Sequence, residues 1–313
     1  MYKRKNKPFI ILGIETSCDD TCIGILSIDK NKKKILANLK ENQNTLHEKY
    51  GGIVPEIASR SHLQNIDIIF EEALKTSNIS SNDIDLIGVT KEPGLIGSLL
   101  VGINFAKGLS IALNKPLIYV NHIEAHILSS FIENVPIVLP SYCLLLSGGH
   151  TSLIHYNNLN DYKILESTCD DAAGELFDKV GREMGLPFPA GKHIEKIAKK
   201  NKKALPINTP RILSFSGLKT HFIGMVKKKH YNLEDIAHNL QQSIVSLLQK
   251  TLKKHCKYNY PIILGGGVTS NKYIRKELKK YWKNILFPLL EMSTDNGIMI
   301  AYVSYCYYIN KII

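Results

Sequence analysis

Short apolar runs that end in polar, glycine-containing turns alternate along the chain with longer segments of helical periodicity. The run at 9–14, the turn ETSCDDT and the run CIGILSI predict a hairpin with an acidic, hydroxyl-rich tip. A second strand, turn and strand occupy 142–156, and the offset from Ile11 to Leu144 is 133 residues. This long offset argues against a solenoid and predicts two related lobes, each of which opens with a hairpin.

Strands and helices alternate between and after the hairpins, which predicts βαβ units and a partly parallel sheet. We therefore expect an α/β fold with duplicated lobes. The N-terminal lobe is expected over 1–130, joined by a C-terminal helix at 295–313, and the C-terminal lobe over 131–294. The further predicted strands are 85–90, 116–120, 162–168 and 261–267. The predicted helices are 56–74, 99–113, 172–184 and 233–255, one that starts at Asn271 and one that starts at Asn296.

Length and composition indicate how many domains the chain forms, what kind of partner it suits and in which compartment it is expected. A chain of 313 residues with 44% hydrophobic content can bury a sizeable core and is longer than one domain usually needs. The net charge of +12 suits a nucleic acid partner, although lysines spread among Asn and Ile fit a solubilising surface equally well. The six cysteines favour a reduced, cytoplasmic protein. We expect no leader, no segment of transmembrane length and no membrane contact.

Two glycine-rich turns follow predicted strands, SGGHTS after CLLL and GGGVTSN after PIIL. Glycines at such places let backbone N–H groups approach an anionic ligand. Neither turn matches a phosphate-binding Walker loop or the dinucleotide fingerprint. One such turn is commonly no more than a tight turn, but two of them together with ETSCDDT favour a nucleotide cleft between lobes.

Three acids, Asp171, Glu175 and Asp178, have the spacing i, i+4 and i+7 on a helix that is expected to begin with an Asp cap. Such a face is commonly a solvated surface. A slim first turn of two alanines and a glycine equally fits close approach of a ligand.

His122 and His126 in NHIEAH would lie one turn apart on a helix, a separation that lets two imidazoles bind one metal ion. Zinc proteases place Glu directly after the first His, whereas Glu124 is third and would point away from the pair. Without a third ligand, two hydrogen-bonded histidines are the commoner explanation. Asp295 is the candidate third ligand, with a helix N-cap as its alternative role.

Nine motifs in order from Gly13 to Tyr302 resemble the TsaD family, formerly called Gcp or YgjD. They are GIETSCDDT, GGIVPEIASRSH, PGLIGSLLVG, NHIEAH, LLLSGGHTSL, DDAAGELFDKVGR, LSFSGLKT, LGGGVTSN and STDNGIMIAY. The resemblance implies the fold of the actin, hexokinase and Hsp70 superfamily. It also implies an enzyme that transfers a threonylcarbamoyl group from threonylcarbamoyl-AMP to N6 of adenosine 37 in tRNAs that read codons beginning with A.

The resemblance further implies the site residues. The metal ligands fall on His122, His126 and Asp295, for one divalent ion that is expected to be Fe²⁺, with Zn²⁺ as the alternative. The contacts to threonylcarbamoyl-AMP fall on Leu145, Leu146, Ser147, Gly148, Gly149, Asp178, Gly191 and Asn271, and more weakly on Glu195. The catalytic residues stay unassigned: no general base is identified, and positioning together with metal polarisation can be enough for transfer.

The implied partners are the tRNA anticodon loop and, as in bacterial members, the proteins TsaB and TsaE. TsaB is expected on a helix of the N-terminal lobe, either the one from Glu56 or the one at 99–113. Lys91 and Glu92 replace the small residues usual in the family, and Ala190 replaces a common glycine. The alternatives are an actin-like ATPase that acts as a binding module and, less favoured, a glycoprotein endopeptidase.

Overall fold

The computed structural model describes residues 7–30, 32–50, 52–132, 138–159, 161–198, 204–205, 207, 210, 212–257 and 259–312. The chain divides into two compact units. Unit 1 consists of residues 1–137 and 295–313, and unit 2 consists of residues 138–294.

Unit 1 is built on a sheet of five strands: β1 (Phe9–Glu15), β2 (Asp20–Asp29), β3 (Lys32–Asn42), β4 (Leu86–Glu92) and β5 (Leu117–Asn121). Their order is β3-β2-β1-β4-β5. The antiparallel pairing of β1 with β2 confirms the first hairpin, and β4 and β5 add in parallel. The strand β3 was not predicted, because its many lysines at a solvent-exposed sheet edge obscure the apolar alternation.

Unit 2 repeats this arrangement with β6 (Ser141–Leu146), β7 (Thr151–Asn158), β8 (Asp161–Ser167), β9 (Ile262–Gly265) and β10 (Ile285–Leu286). The order is β10-β9-β6-β7-β8, with an antiparallel β6-β7-β8 meander and parallel β9 and β10. Each unit thus has three antiparallel strands followed by two parallel ones. The predicted duplication and α/β class are confirmed.

The helices lie on these sheets and bury one core in each unit. They are α1 (Asn44–Glu48), α2 (Pro55–Ser77), α3 (Ile96–Leu113), α4 (His122–Leu128), α5 (Ala173–Glu183), α6 (Gly191–Ile197), α7 (Ser216–Lys228), α8 (Leu233–His255), α9 (Lys272–Tyr281) and α10 (Gly297–Ile312). The helix predicted over 233–255 has those bounds. The helix α7 was not predicted, because its start depends on a distant residue: Asp170 accepts the backbone N–H groups of Phe215 and Ser216.

Helix α10 packs directly on the hairpin of unit 1 through three glycines. A Cβ on Gly13 would overlap the carbonyl oxygen of Gly297, and one on Gly24 would overlap the same backbone. Only glycine permits such a close approach of two backbones. This contact fixes the start of α10 over β1 and β2.

Helix α3 corrects one expectation. By length and composition it could cross a membrane, and 22% of it is buried. In unit 1 it lies against α2 and β4, where Leu99 and Ala106 are buried. A single apolar helix of this kind is weak evidence for a membrane.

Candidate functional site

The two histidines are positioned by the turn from β5 into α4. The side-chain oxygen of Asn121 accepts the backbone N–H groups of Ile123 and Glu124, so it caps the helix that His122 begins. His126 follows one turn later. The imidazole rings are perpendicular, with centroids 4.6 Å apart.

Asp295 completes the group from the other end of unit 1. Its alternative role as a helix cap is wrong, because the Asn296 side chain caps α10 by accepting the N–H of Met299 at 2.9 Å. The Asp295 carboxylate instead faces the histidines. Its Oδ1 lies 2.9 Å from Nε2 of His126 and 3.7 Å from Nε2 of His122.

A buried carboxylate orients the first histidine from behind. Oε2 of Glu15 lies 3.0 Å from Nδ1 of His122, and the hydroxyl of Ser17 lies 3.2 Å from the same nitrogen. Glu15 is fully buried and also accepts the hydroxyl of Thr90 and the backbone N–H of Ser17. These contacts leave Nε2 of His122 directed at Asp295.

The charges in this group are strongly coupled. Burial lowers the pKa of His122, but the carboxylates of Glu15 and Asp295 outweigh it and raise that pKa to about 9. Burial raises the pKa of Asp295, but the two imidazoles and Lys40 outweigh it and hold that pKa below its usual range. The group therefore favours positive charge between its carboxylates.

The residues present fit a divalent metal ion. One ligand atom each from His122, His126 and Asp295 lies within 4.8 Å of the others. Two imidazoles and one carboxylate are a donor set used by Zn²⁺ and by non-haem Fe²⁺. A carboxylate behind a ligating imidazole is the usual outer partner at such centres, and Glu15 has that place.

Glu124 takes no part in this group. Its buried carboxylate accepts the hydroxyl of Tyr307 on α10. The expectation that Glu124 points away from the histidine pair is met, so Glu124 does not have the place of the glutamate base of a zinc peptidase.

In unit 2 the two glycine loops meet at the carboxyl ends of the neighbouring parallel strands β6 and β9. A Cβ on Gly266 would lie 2.5 Å from the carbonyl oxygen of Leu146, and Gly266 has φ +88°. Gly174 at the start of α5 likewise touches Gly148 and donates its N–H to the oxygen of Ser147 at 3.2 Å. The ends of parallel strands are where α/β sheets bind ligands.

The predicted contacts in this loop differ in what they can offer. Leu145 and Leu146 are buried in β6, so only their backbone can meet a ligand. The Ser147 hydroxyl accepts the N–H of His150 at 2.9 Å. Gly148 and Gly149 are exposed, and a Cβ on either would meet nothing within 4 Å.

Asp178 and Gly191 lie together at the start of α6. Oδ1 of Asp178 accepts the N–H of Ala190 at 2.8 Å, and burial raises the pKa of Asp178 to about 6. Ala190 is buried against Gly181, so its methyl group fits where the family commonly has glycine.

Asn271 and Glu195 lie together at the start of α9. The Asn271 oxygen caps α9 by accepting the N–H of Ile274, and its amide donates to Gln241. Glu195 accepts the N–H of Lys272 at 3.3 Å. The side-chain oxygen and nitrogen of Asn271 thus already have partners within unit 2.

Two of the three acids that were predicted to share a helix face are paired with lysines. Asp171 was expected to cap the helix, but Ala172 occupies the N-cap position. Asp171 instead forms ion pairs with Lys179 and Lys219, and Glu175 also pairs with Lys179.

Sequence reasoning missed Glu15 as the partner of His122 and Asp170 as the cap of α7. Glu15 stands at the end of the first strand, in a turn that was recognised only as acidic. Its role becomes visible once β1 and β5 are placed on either side of β4 in the same sheet.

The chain is similar in sequence to proteins of one family. A sequence profile of the TsaD family, described as tRNA N6-adenosine threonylcarbamoyltransferase, matches residues 34–302. The protein of that name from Thermosipho melanesiensis is 46% identical over 313 residues, which cover 95% of this chain and 94% of the relative. Its counterpart from Syntrophomonas wolfei is 41% identical over 320 residues, which cover 96% and 93%.

Solved structures match the fold. Component A of (R)-2-hydroxyglutaryl-CoA dehydratase from Acidaminococcus fermentans has a TM-score of 0.63 at 15% identity and covers 96% of this chain and 98% of its own. HypF from T. kodakarensis has a TM-score of 0.63 at 13% identity over 95% of this chain and 47% of its own. At these identities the likeness concerns the fold alone, and it confirms the actin-like class.

Proposed function

Because the chain belongs to the TsaD family of tRNA N6-adenosine threonylcarbamoyltransferases, we propose that it forms threonylcarbamoyladenosine at position 37 of tRNA with the help of one divalent metal ion. The observation that carries the metal part is the convergence of His122, His126 and Asp295, with Glu15 behind His122. If these residues formed only a structural ion pair, the Nε2 atoms of His122 and His126 would not both need to face the same oxygen of Asp295.

The proposed reaction is acyl transfer. The N6 amine of adenosine attacks the carbamoyl carbon of threonylcarbamoyl-AMP, the bond from that carbon to the phosphate oxygen breaks, AMP leaves with the electron pair, and the amine loses one proton to solvent. This amine is a weak nucleophile, because its lone pair is delocalised into the ring. A bound divalent ion would stabilise negative charge on the acyl oxygen.

The protein residues have separate tasks in this proposal. His122, His126 and Asp295 hold the ion, and Glu15 fixes the imidazole of His122 in the tautomer that presents Nε2. The ion is expected to be Fe²⁺, because two imidazoles and one carboxylate with open positions suit it, and Zn²⁺ is the alternative.

The glycine loops of unit 2 are proposed to hold the AMP part. Gly148 and Gly149 offer unobstructed backbone N–H groups to phosphate. Asp178 and Glu195 are the carboxylates available to ribose hydroxyls, each in exchange for a backbone N–H that it now accepts. Asn271 and Gly191 complete the pocket at the starts of α9 and α6. Leu145, Leu146 and Ser147 contribute the backbone at the end of β6 and the start of the SGGHTS turn.

The protein partners are proposed from one exposed apolar surface of unit 1. It consists of Ile96, Leu100 and Ile111 on α3, which are between 51% and 82% exposed. Leu63 and Ile68 on α2 are exposed as well, but their spacing of five residues places them on different faces of that helix. Leu100 follows Ile96 by four residues and Ile111 follows Leu100 by eleven, which places all three on one face of α3. Exposed apolar helix faces of this kind mark protein interfaces. We assign this surface to TsaB, with TsaE joining the pair in a cytoplasmic complex.

The proposal is tested in cells that carry only a His126→Ala variant. The account predicts that threonylcarbamoyladenosine disappears from their tRNA nucleosides, while the variant protein is still present at a normal level. An unchanged content of the modified nucleoside would remove the metal assignment. An actin-like ATPase module would instead hydrolyse ATP with its partners and leave tRNA unmodified when supplied with threonylcarbamoyl-AMP.

A further inference from the structure

The net positive charge of the protein comes from one of its two units. Unit 1 contains sixteen basic and sixteen acidic residues, whereas unit 2 contains twenty-four basic and twelve acidic residues. Unit 2 therefore accounts for the whole net charge of +12. Lysine used only as a general solubilising residue would charge both units, so the asymmetry calls for a local explanation.

Most of this excess lies in a single segment. Between Lys250 and Lys283 there are ten basic residues and one acidic residue, Glu277. Lys280 neutralises this acid, with Nζ at 2.7 and 2.8 Å from its two carboxylate oxygens. The segment therefore contains no second acid that could neutralise its other basic residues.

Helix α9 carries these cations on one side. Lys272, Lys276 and Lys279 are exposed and are spaced by four and then three residues, which places them on one face. Ile274 and Leu278 on the opposite face are fully buried in the core of unit 2. The three lysines of this face span about 10 Å along α9, given a rise of about 1.5 Å per residue.

The end of α8 lies beside the end of α9. Nζ of Lys253 lies 5.2 Å from the ring centroid of Tyr281, the last residue of α9. Tyr281 is 52% exposed, so one side of its ring remains open. Lys257 follows α8, Lys283 follows α9, and both are exposed. One cation thus lies next to an accessible aromatic ring, and a further exposed lysine follows each helix.

We propose that this surface, formed by Lys253, Lys257, Lys276, Lys279, Tyr281 and Lys283, binds the phosphate backbone of the tRNA substrate. Lysines contribute to RNA affinity by releasing counterions from phosphates, and an exposed aromatic ring can stack on an unpaired base. The inference rests on the proposed function in that the RNA is the tRNA to be modified. It adds the place on the protein where the body of that RNA is held.

The test uses the full-length protein and a fluorescent tRNA. A K253Q/K276Q/K279Q/K283Q variant removes four charges and keeps good helix formers at the helical positions. The matched control is K32Q/K34Q/K49Q/K75Q, which removes four exposed lysines from unit 1. Anisotropy titrations over a range of salt concentrations give both the affinity and its salt dependence, and circular dichroism confirms that both variants are folded.

The proposal predicts that the unit 2 variant binds tRNA at least about tenfold more weakly at 0.15 M salt. The slope of log affinity against log salt should fall by about 3, close to one for each lost phosphate contact. The control should bind as the wild type does. Equal binding by the two variants, or binding of wild type to anionic lipid vesicles in preference to tRNA, would overturn the proposal.

Transfer kinetics separate this inference from the proposed function. If the transferase function and the RNA-binding surface are both correct, the unit 2 variant has a raised KM for tRNA, an unchanged KM for threonylcarbamoyl-AMP and an unchanged kcat. Wild-type transfer with an unchanged KM for tRNA in the variant would overturn the surface alone. If the variant binds tRNA more weakly but the wild type transfers nothing, the RNA-binding surface stands and the transferase function is refuted.

Discussion

Nδ1 of His122 lies 3.0 Å from Oε2 of Glu15, a fully buried carboxylate that stands 107 residues earlier in the chain. The contact is made inside unit 1, where β1 ends at Glu15 and α4 begins at His122. It commits one ring nitrogen of His122 to the protein and leaves the other for a metal ion.

The first prediction concerns Glu15→Gln. The amide cannot supply the negative charge that favours the required tautomer of His122, so metal affinity should fall by about 10-fold to 100-fold. Competition with a chromophoric chelator, with Zn²⁺ as the probe, measures this on the purified protein. The control is Glu124→Gln, which alters an equally buried carboxylate on α4 that bonds to Tyr307 instead. If Glu15→Gln and wild type bind the ion alike, Glu15 has no orienting role.

A second prediction tests the packing that fixes Asp295. Gly13→Ala should lower the free energy of unfolding by about 1 to 3 kcal/mol or more, because the new methyl group overlaps the backbone of α10. Gly108→Ala is the control, since a Cβ there meets nothing within 4 Å on an exposed helix. It should stabilise by about 0.5 to 1 kcal/mol. Urea denaturation measures both, and a neutral Gly13→Ala would refute the close backbone contact.

The third prediction is a pH dependence at Asp178, whose pKa burial raises from 3.8 to about 6. Between these values the folded protein retains a proton that the unfolded chain has lost, so this group makes stability fall as pH rises from 4 to 6. The loss is at most about 3 kcal/mol and smaller for a partly exposed side chain. Subtracting the stability profile of Asp178→Asn from that of wild type isolates it. A difference that is flat over this range would show that Asp178 titrates normally.

The fourth prediction concerns the apolar surface of unit 1. Ile111→Asp introduces a charge at a side chain that is 82% exposed, so the fold should tolerate it. Binding to a TsaB-type partner should weaken by at least about tenfold, because a buried, unpaired charge is costly at an interface. Ile164→Asp, at a half-exposed position in unit 2, serves as the control. Calorimetry that finds both variants equal to wild type would place the partner elsewhere.

Much of the fold could be predicted because its signals are local. The helix α8 begins at Asn232, whose side chain accepts the N–H of Asp235, and this cap is legible in the sequence. The helix α7 depends on Asp170, which reaches it from 45 residues earlier, and no local pattern marks that start. The strand β3 was missed for the related reason that a lysine-rich edge strand carries little apolar alternation.

The candidate site divides in the same way. The spacing of His122 and His126 predicts two ligands on one helix face, but it cannot show that Asp295 arrives from 169 residues away. That approach depends on the glycine contact between β1 and α10. The partner of His122 likewise depends on strand order, which places Glu15 near the end of β5.

In the proposed function, a metal held by His122, His126 and Asp295 is needed for transfer of the threonylcarbamoyl group to tRNA. The most direct measurement is an in vitro transfer assay with tRNA and pre-formed threonylcarbamoyl-AMP, in which wild type is compared with Asp295→Ala and the metal content of both samples is determined. We expect the variant to lose both the bound metal and the transfer activity while it remains folded. Full transfer by a metal-free Asp295→Ala protein would contradict it.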